Sequence, residues 1–515
     1  MLILPLVFSA GISASEPSFY PQEVRKALDG AGGNRAELEK VIRYYAFSGD
    51  SLKLQAAFFL IANMKDHCYV TYALDDTLGN EIDFNVLDYP DFETLLAAFD
   101  TLESSYGELD FKKKDMIYDL EAITASFLIE NIDLAFRAWR EKPWDKGLSF
   151  EDFCRYVLPY RGSNEPLESW RGTFRDKYKT IESTMVDPGD PVEAARIIND
   201  DIKTWFGFDP RYYFHPTDLG LSEMMSTHLG RCEDMTNITI YAMRANGLAV
   251  TSDYTPYWAN TGNNHAWNAI VVPSGKAIPF MGAESNPGEY HLSNKLAKAY
   301  RKTYDRQTDC LAARERKQEK IPAWLSGEHY VDVTPVYADV CDITVPLESE
   351  PSDSIDVAYL CVFNSGEWKA IDWGLIADSE AAFTDVAKGV AYLAALYMNE
   401  EIVPFSPPFV IGDDCRLRFF TADEGSKTAV HLTSTTAVKQ ETSTDGIEKT
   451  SLEKGREYEL MYWQNGWLSL GKAVAGDDPL IFEEIPKGAL FWLTATDSDR
   501  EERIFTIENG KQVWW

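Results

Sequence analysis

Hydrophobic residues recur three and four positions apart over much of the first 190 residues. The stretch SGDSLKLQAAFFLIANMKDH opens on a Ser/Asp cap and keeps this spacing, which predicts an amphipathic helix. FETLLAAFDTLESSY and DMIYDLEAITASFLIENIDLAFRAW carry the same period. FEDFCRYVLPYRGSNEPLESWRGTFRDKY reads as helix, Pro-Tyr-Arg-Gly turn, helix. Residues 17–190 are therefore expected to form a helical domain, closed by the breaker DPGD at 187–190. A mixed α/β region is expected over 191–335. It opens with the helix PVEAARIINDDIKTWFGF, and MTNITIYAMRANG is a second helix ended by Gly247. AVTSDYTPYW, HAWNAIVVP and KAIPFM follow as strands, with Ser274-Gly275 as a hairpin turn between the last two.

From about Thr334 the pattern alternates as β-structure does, and it repeats. YLCVFNSGEWKAIDWG starts at Tyr359 and YELMYWQNGWLSLGKA at Tyr458, an offset of 458 − 359 = 99. Trp368 and Trp467, Phe383 and Phe482, Lys388 and Lys487, and Gly389 and Gly488 keep that offset. A constant register through strand–turn–strand predicts two copies of one β-sandwich-like module, over 336–430 and 431–515. The fold class is thus multidomain α+β: a helical N-terminal region, a mixed core and two tandem all-β modules.

Composition narrows the function. A formal charge of −33 on 515 residues repels phosphate backbones and anionic membranes, so nucleic acid is set aside as a partner. Residues 1–16, an apolar run from Met1 to Phe8 followed by small residues from Ser9 to Ser15, read as a signal peptide, which predicts a secreted, periplasmic or cell-surface protein. No later stretch is long and apolar enough for a transmembrane segment. Seven widely spaced cysteines with no CxxC indicate neither a zinc site nor a dense disulfide scaffold, and an odd number leaves at least one free thiol. No cofactor and no metal are expected.

One of those cysteines is placed for chemistry. Cys232 follows a Gly-Arg turn and opens a predicted helix, where unpaired backbone N–H groups and the helix dipole favour a thiolate and could hold an oxyanion. Asp234 is positioned to cap that helix. His265 heads a predicted strand 33 residues later, as 265 − 232 shows. A strand-borne imidazole facing a helix-borne thiol is what a Cys–His pair needs. The same spacing also fits a buried histidine beside an inert core cysteine. His215 and His228 read as ordinary surface or packing residues, and Trp267 as core.

The two blocks GRCEDMTNITIYAMRANGLAV and HAWNAIVV together resemble the nucleophile and histidine blocks of the transglutaminase-like superfamily, which has a papain-like cysteine protease fold and occurs in large exported bacterial proteins. The resemblance covers about 192–335. It implies Cys232 as nucleophile and His265 as general base and acid. It also implies an acid at the end of the next strand, where this chain reads AIPFMGAESNP, with Met281 at the expected position. Glu284 is the nearest acid and the expected orienter, with Asn268 or a main-chain oxygen as alternatives. Tyr257 and Trp258 are expected to contact substrate. The implied activity is amide hydrolysis (peptidase or amidase) or acyl transfer through a Cys232 thioester, on a peptide, protein or glycopeptide. A catalytically degraded scaffold in a glycan- or peptide-binding protein is the alternative.

Overall fold

The structure is a computed structural model that describes residues 20–314, 320–347, 355–437, 450–495, 498 and 502–515. The expected signal peptide lies outside them.

The predicted helices form where their caps stand. Asp50 accepts from the backbone N–H of Lys53 and opens Ser51–Ala62, Asp91 opens Phe92–Tyr106, and Thr124 opens Ala125–Glu141. The apolar faces of Ser51–Ala62 and Ala125–Glu141 share one core with Phe153, Val157 and Tyr160, whereas Leu95 of Phe92–Tyr106 packs into the core of the mixed region. The N-terminal region is not wholly helical, however. Cys68–Asp75 pairs antiparallel with Asp110–Tyr118 and with Glu81–Ile82. The segment DMIY belongs to the second of these strands rather than to the following helix. The reason is local: CYVTYALD is rich in β-branched and aromatic residues, and DFKKKDMIY is mostly exposed, so neither supplies a helical apolar stripe.

The mixed region centres on the helix Cys232–Ala245, buried along nearly its whole length. It packs against a five-stranded sheet whose order is Tyr330–Asp332, Tyr300–Lys302, Val250–Thr255, His265–Val271, Ala277–Phe280. Gly275 makes the predicted turn in the left-handed region, at φ +81°. Two buried arginines bind the N-terminal region to this centre. Arg171 donates to the carbonyls of Val157, Leu158 and Arg244, and Arg244 donates to those of Tyr156 and Arg161. Backbone carbonyls thus satisfy cations that burial would otherwise strongly disfavour. They also fix residues 159–164 beside the central helix.

The C-terminal half is antiparallel β-structure in two successive parts. In the first, Val340–Pro346, Glu380–Ala387, Glu367–Ala377, Val357–Asn364, Ala391–Met398, Phe409–Ile411 and Leu417–Phe419 are neighbours in one sheet. In the second, Asp423–Leu432 pairs Leu480–Lys487 as a separate two-stranded sheet, and Trp467–Val474, Glu457–Trp463, Phe491–Ala495, Ile504–Glu508 and Lys511–Trp514 are neighbours in a five-stranded one. The pairing order thus recurs except for the break between Leu480–Lys487 and Trp467–Val474, and the register is not gapless. Phe363 pairs Trp368, whereas Trp463 pairs Trp467, so the second hairpin turn is one residue shorter. The matching of Tyr359 with Tyr458 therefore slips by one along that strand. Trp368 and Trp463 are buried where the two sheets meet, and a disulfide joins Cys341 to Cys415. No helix among the described residues is long and apolar enough to cross a membrane.

Candidate functional site

The start of the central helix is tightly specified. The Asp234 carboxylate accepts from the backbone N–H groups of Leu219 and Arg231, as its sequence position predicts for a cap. Gly230 is required by that closeness, because a Cβ there would lie 2.5 Å from the Cβ of Asp234. Arg231 is itself held by Asp218 at 3.0 Å.

These constraints place Cys232 in the first turn, 6% exposed, with its sulfur against the beginning of the His265–Val271 strand. The backbone N–H of Ala266 faces the sulfur and favours its thiolate. Two stronger influences oppose it. Burial raises the thiol pKa, and so does the carboxylate of Glu233, whose Oε2 accepts from the thiol at 3.0 Å. Among the described residues no hydrogen bond joins the sulfur to a His265 nitrogen. The direct thiol–imidazole contact that a Cys–His pair calls for is replaced by the bond to Glu233.

His265 stands opposite Thr255 at the strand end. Its ring stacks beside Trp258 at 5.9 Å and beside Trp267 at 5.9 Å. Burial lowers its pKa below the ordinary histidine value, and the nearby Glu233 carboxylate pulls the other way. Sequence position puts Glu284 at the far nitrogen; the structure puts Tyr290 there, its hydroxyl 2.8 Å from Nε2. Ser285 donates its backbone N–H to Met281 at 2.9 Å, and Ala283 donates to Asn199 at 2.8 Å. This pinned turn throws Glu284 into solvent, and the chain returns to the imidazole only at residue 290. Asn268 is committed elsewhere, to the carbonyls of Thr236 and Thr251, and Asn286 to Asn199, Lys203 and Asp200. Met281 is buried in the core.

Sequence reasoning also missed Asn364. It sits at the first hairpin turn of the β-rich half, and its amide donates to the carbonyls of Trp258, Thr261 and Asn263, each at 3.0 Å. It thereby clamps the loop that leads into His265. No signal short of tertiary structure could reveal it, since the contacts span about a hundred residues of sequence.

Two clefts meet at Asn264 and His265. One, of about 490 Å³, is lined by Glu233, His265 and Tyr257 on one side and by His67, Arg161 and Ser163 on the other. The second, of about 700 Å³, is bordered by Tyr213, Trp258, Glu284 and Tyr290. Tyr257 and Trp258 thus fall in different clefts, and Trp258 is only 5% exposed. His215 lines neither; it bonds to the carbonyl of Thr217. His228 closes a short helix in the left-handed region, at φ +60°. Among the described residues no group of His, Cys, Asp and Glu could hold a metal ion.

Residues 179–280 match the family model of the transglutaminase-like superfamily, a span that includes Cys232 and His265 and ends before Glu284 and Tyr290. No curated protein matches the chain.

Proposed function

For a chain that carries a transglutaminase-like domain at residues 179–280, we propose a cysteine-dependent amide hydrolase in which Cys232 is the nucleophile and His265 the proton carrier. The superfamily has the fold of cysteine-dependent hydrolases and transferases. The observation that carries the finer reading is the arrangement of His265. Its Nε2 is tied to Tyr290, so Nδ1 is the nitrogen left for the thiol, whose sulfur lies against the same strand start. A side chain at the far nitrogen favours catalysis over a degraded scaffold, because an untethered ring would have no fixed orientation.

In the reaction, substrate entering the clefts displaces the thiol from Glu233. The thiol proton passes to Nδ1 of His265 as sulfur bonds to the carbonyl carbon. The free N–H groups of the first helical turn hold the oxyanion. The C–N bond then breaks, and the imidazolium gives its proton to the departing amine. Water, deprotonated by His265, attacks the thioester and regenerates the thiol. An amine in place of water would make the same enzyme a transferase. Open clefts on both sides of His265 suit a chain that continues past the reacting bond, as in a peptide or protein. The Cys341–Cys415 disulfide suits an oxidising compartment and supports export.

The test uses the full chain and p-nitrophenyl acetate. A nitrophenolate burst of about one equivalent is expected, absent in Cys232→Ala and in His265→Ala. Cleavage of an unfolded polypeptide such as reduced, alkylated lactalbumin should be lost with it. A burst that survives in Cys232→Ala would sink this reading.

A further inference from the structure

We propose that Tyr290 is the positioning residue of His265: its hydroxyl accepts the hydrogen bond from Nε2–H and so keeps the Nδ1 lone pair turned to the Cys232 thiol. This rests on the catalytic reading above and names the group that prepares its base.

A neutral imidazole has one N–H and one lone pair, and the partner of one nitrogen decides the role of the other. The only hydrogen-bond partner of the His265 ring among the described residues is the Tyr290 hydroxyl, at 2.8 Å from Nε2. A phenol can donate or accept, so its own surroundings must choose. Glu284 borders the same cleft, and its negative charge is felt at that hydroxyl. A phenolic proton turned toward that charge leaves an oxygen lone pair toward Nε2. Burial keeps the phenol protonated, its pKa well above the usual tyrosine value. The imidazole is therefore the Nε2–H tautomer, the one that can take a proton at Nδ1. The neighbouring rings of Trp258 and Trp267, each 5.9 Å from the imidazole and 6.5 Å from each other, pack beside it and limit its rotation about the bond that Tyr290 defines.

The consequence separates this site from one built with a carboxylate. A carboxylate stabilises imidazolium and with it a resting thiolate–imidazolium pair. A neutral phenol does so far less. The resting state here is thiol and neutral imidazole, with proton transfer occurring as sulfur attacks. The surroundings agree: burial pushes the imidazole below its ordinary pKa, burial and Glu233 push the thiol above its own, and the polar atom 3.0 Å from the sulfur is a carboxylate oxygen of Glu233 rather than an imidazole nitrogen.

Tyr290→Phe removes one oxygen and leaves the ring. Three readouts on the full chain decide the matter. Nitrogen-15 shifts of the His265 ring, assigned with His265→Ala, should show the Nε2–H tautomer in the parent and a mixture in Tyr290→Phe. The p-nitrophenyl acetate acylation rate should fall about 10-fold, the size one hydrogen bond supports, with KM unchanged. The pH profile of Cys232 alkylation by iodoacetamide should show no plateau at low pH in the parent. Glu284→Gln should leave a smaller, roughly threefold effect on acylation, because it acts through Tyr290. An Nδ1–H tautomer in the parent, or an unchanged tautomer and rate in Tyr290→Phe, would overturn the assignment. If the parent gives no Cys232-dependent burst, the catalytic reading fails instead, and the nitrogen shifts still decide what Tyr290 does to the ring.

Discussion

Replacing Glu233 by glutamine should make Cys232 more reactive, although Glu233 is its nearest polar partner. The carboxylate Oε2 lies 3.0 Å from the sulfur and accepts its proton. Ionising the thiol sets two negative charges side by side. At a relaxed separation of about 4 Å their repulsion is about 1 kcal/mol in bulk water and about 4 kcal/mol near a protein surface. Those limits correspond to roughly 0.7–3 units of thiol pKa. The Glu233 side chain is 21% exposed at the cleft and is drawn toward Arg231 at 3.6 Å, so the lower end applies, about one unit. Glutamine keeps the shape and the acceptor oxygen but not the charge. A drop of one unit raises the thiolate fraction at neutral pH about tenfold, while the weaker nucleophile loses roughly threefold in intrinsic rate. The net gain is about threefold. Iodoacetamide alkylation of the folded chain, followed by peptide mapping from pH 6 to 10, measures it, with buried Cys154 and Cys361 as internal references. The whole Cys232 profile should move about one unit toward acid. An unmoved profile, or one displaced toward alkali, would refute the claim that Glu233 holds the thiol protonated.

Asn364→Ala should loosen the loop before His265, seen as faster amide exchange over residues 258–264 and a slower acylation burst, with a stability loss of about 1–3 kcal/mol. Lys298 is buried between Asp332 and Asp372, so Lys298→Met should cost about 3–5 kcal/mol in urea unfolding, and adding Asp372→Asn should recover part of it. Opening the Cys341–Cys415 bridge, which spans 74 positions, should lower stability by about 2–4 kcal/mol, read from unfolding with Cys341→Ala/Cys415→Ala against the parent. Tyr257→Ala should raise KM for a polypeptide substrate and leave the p-nitrophenyl acetate burst intact, because Tyr257 borders the cleft without touching Cys232.

The elements with strong local signals were legible in the sequence. Asp50, Asp91, Thr124 and Asp190 cap helices as side chains of their type do, and the three strands around His265 start within two residues of their predicted places. The repeat marks which strands of the β-rich half correspond, and the turn at 464–466 carries the one-residue slip that a constant offset hides. Cys232 and His265 stand at a helix start and a strand start as the sequence predicts, because those features are sequence-local. The partner of the His265 ring was not legible, for a physical reason. The turn at 281–285 is set by Asn199, more than eighty residues upstream, and it decides which side chain returns to the ring. The strands at 68–75 and 110–118 were missed because a surface strand pair buries little, so its alternation is drowned by the helical periods on either side.

The matched segment 179–280 holds Cys232 and His265, the proposed nucleophile and proton carrier, but not all that surrounds them. Tyr290, which meets the imidazole, lies beyond its end. Asn364, which clamps the approach to His265, comes from the hairpin of a β-sheet a hundred residues on. The wall opposite Glu233 and His265 is built from His67 and residues 159–164. That wall is held in place by Arg244 of the central helix itself, through the carbonyl of Arg161. Each outside element acts on a different degree of freedom: ring tautomer, loop position, cleft width. The family match thus covers Cys232, Glu233 and His265, while Tyr290, Asn364 and the residues near 67 and 159–164 that complete their surroundings lie outside it. Substitutions at Tyr290, Asn364 and Glu233 should accordingly separate three effects, with Tyr290 moving the ring tautomer, Asn364 moving exchange in the loop, and Glu233 moving the ionisation of the thiol and, in the opposite direction to burial, of the imidazole.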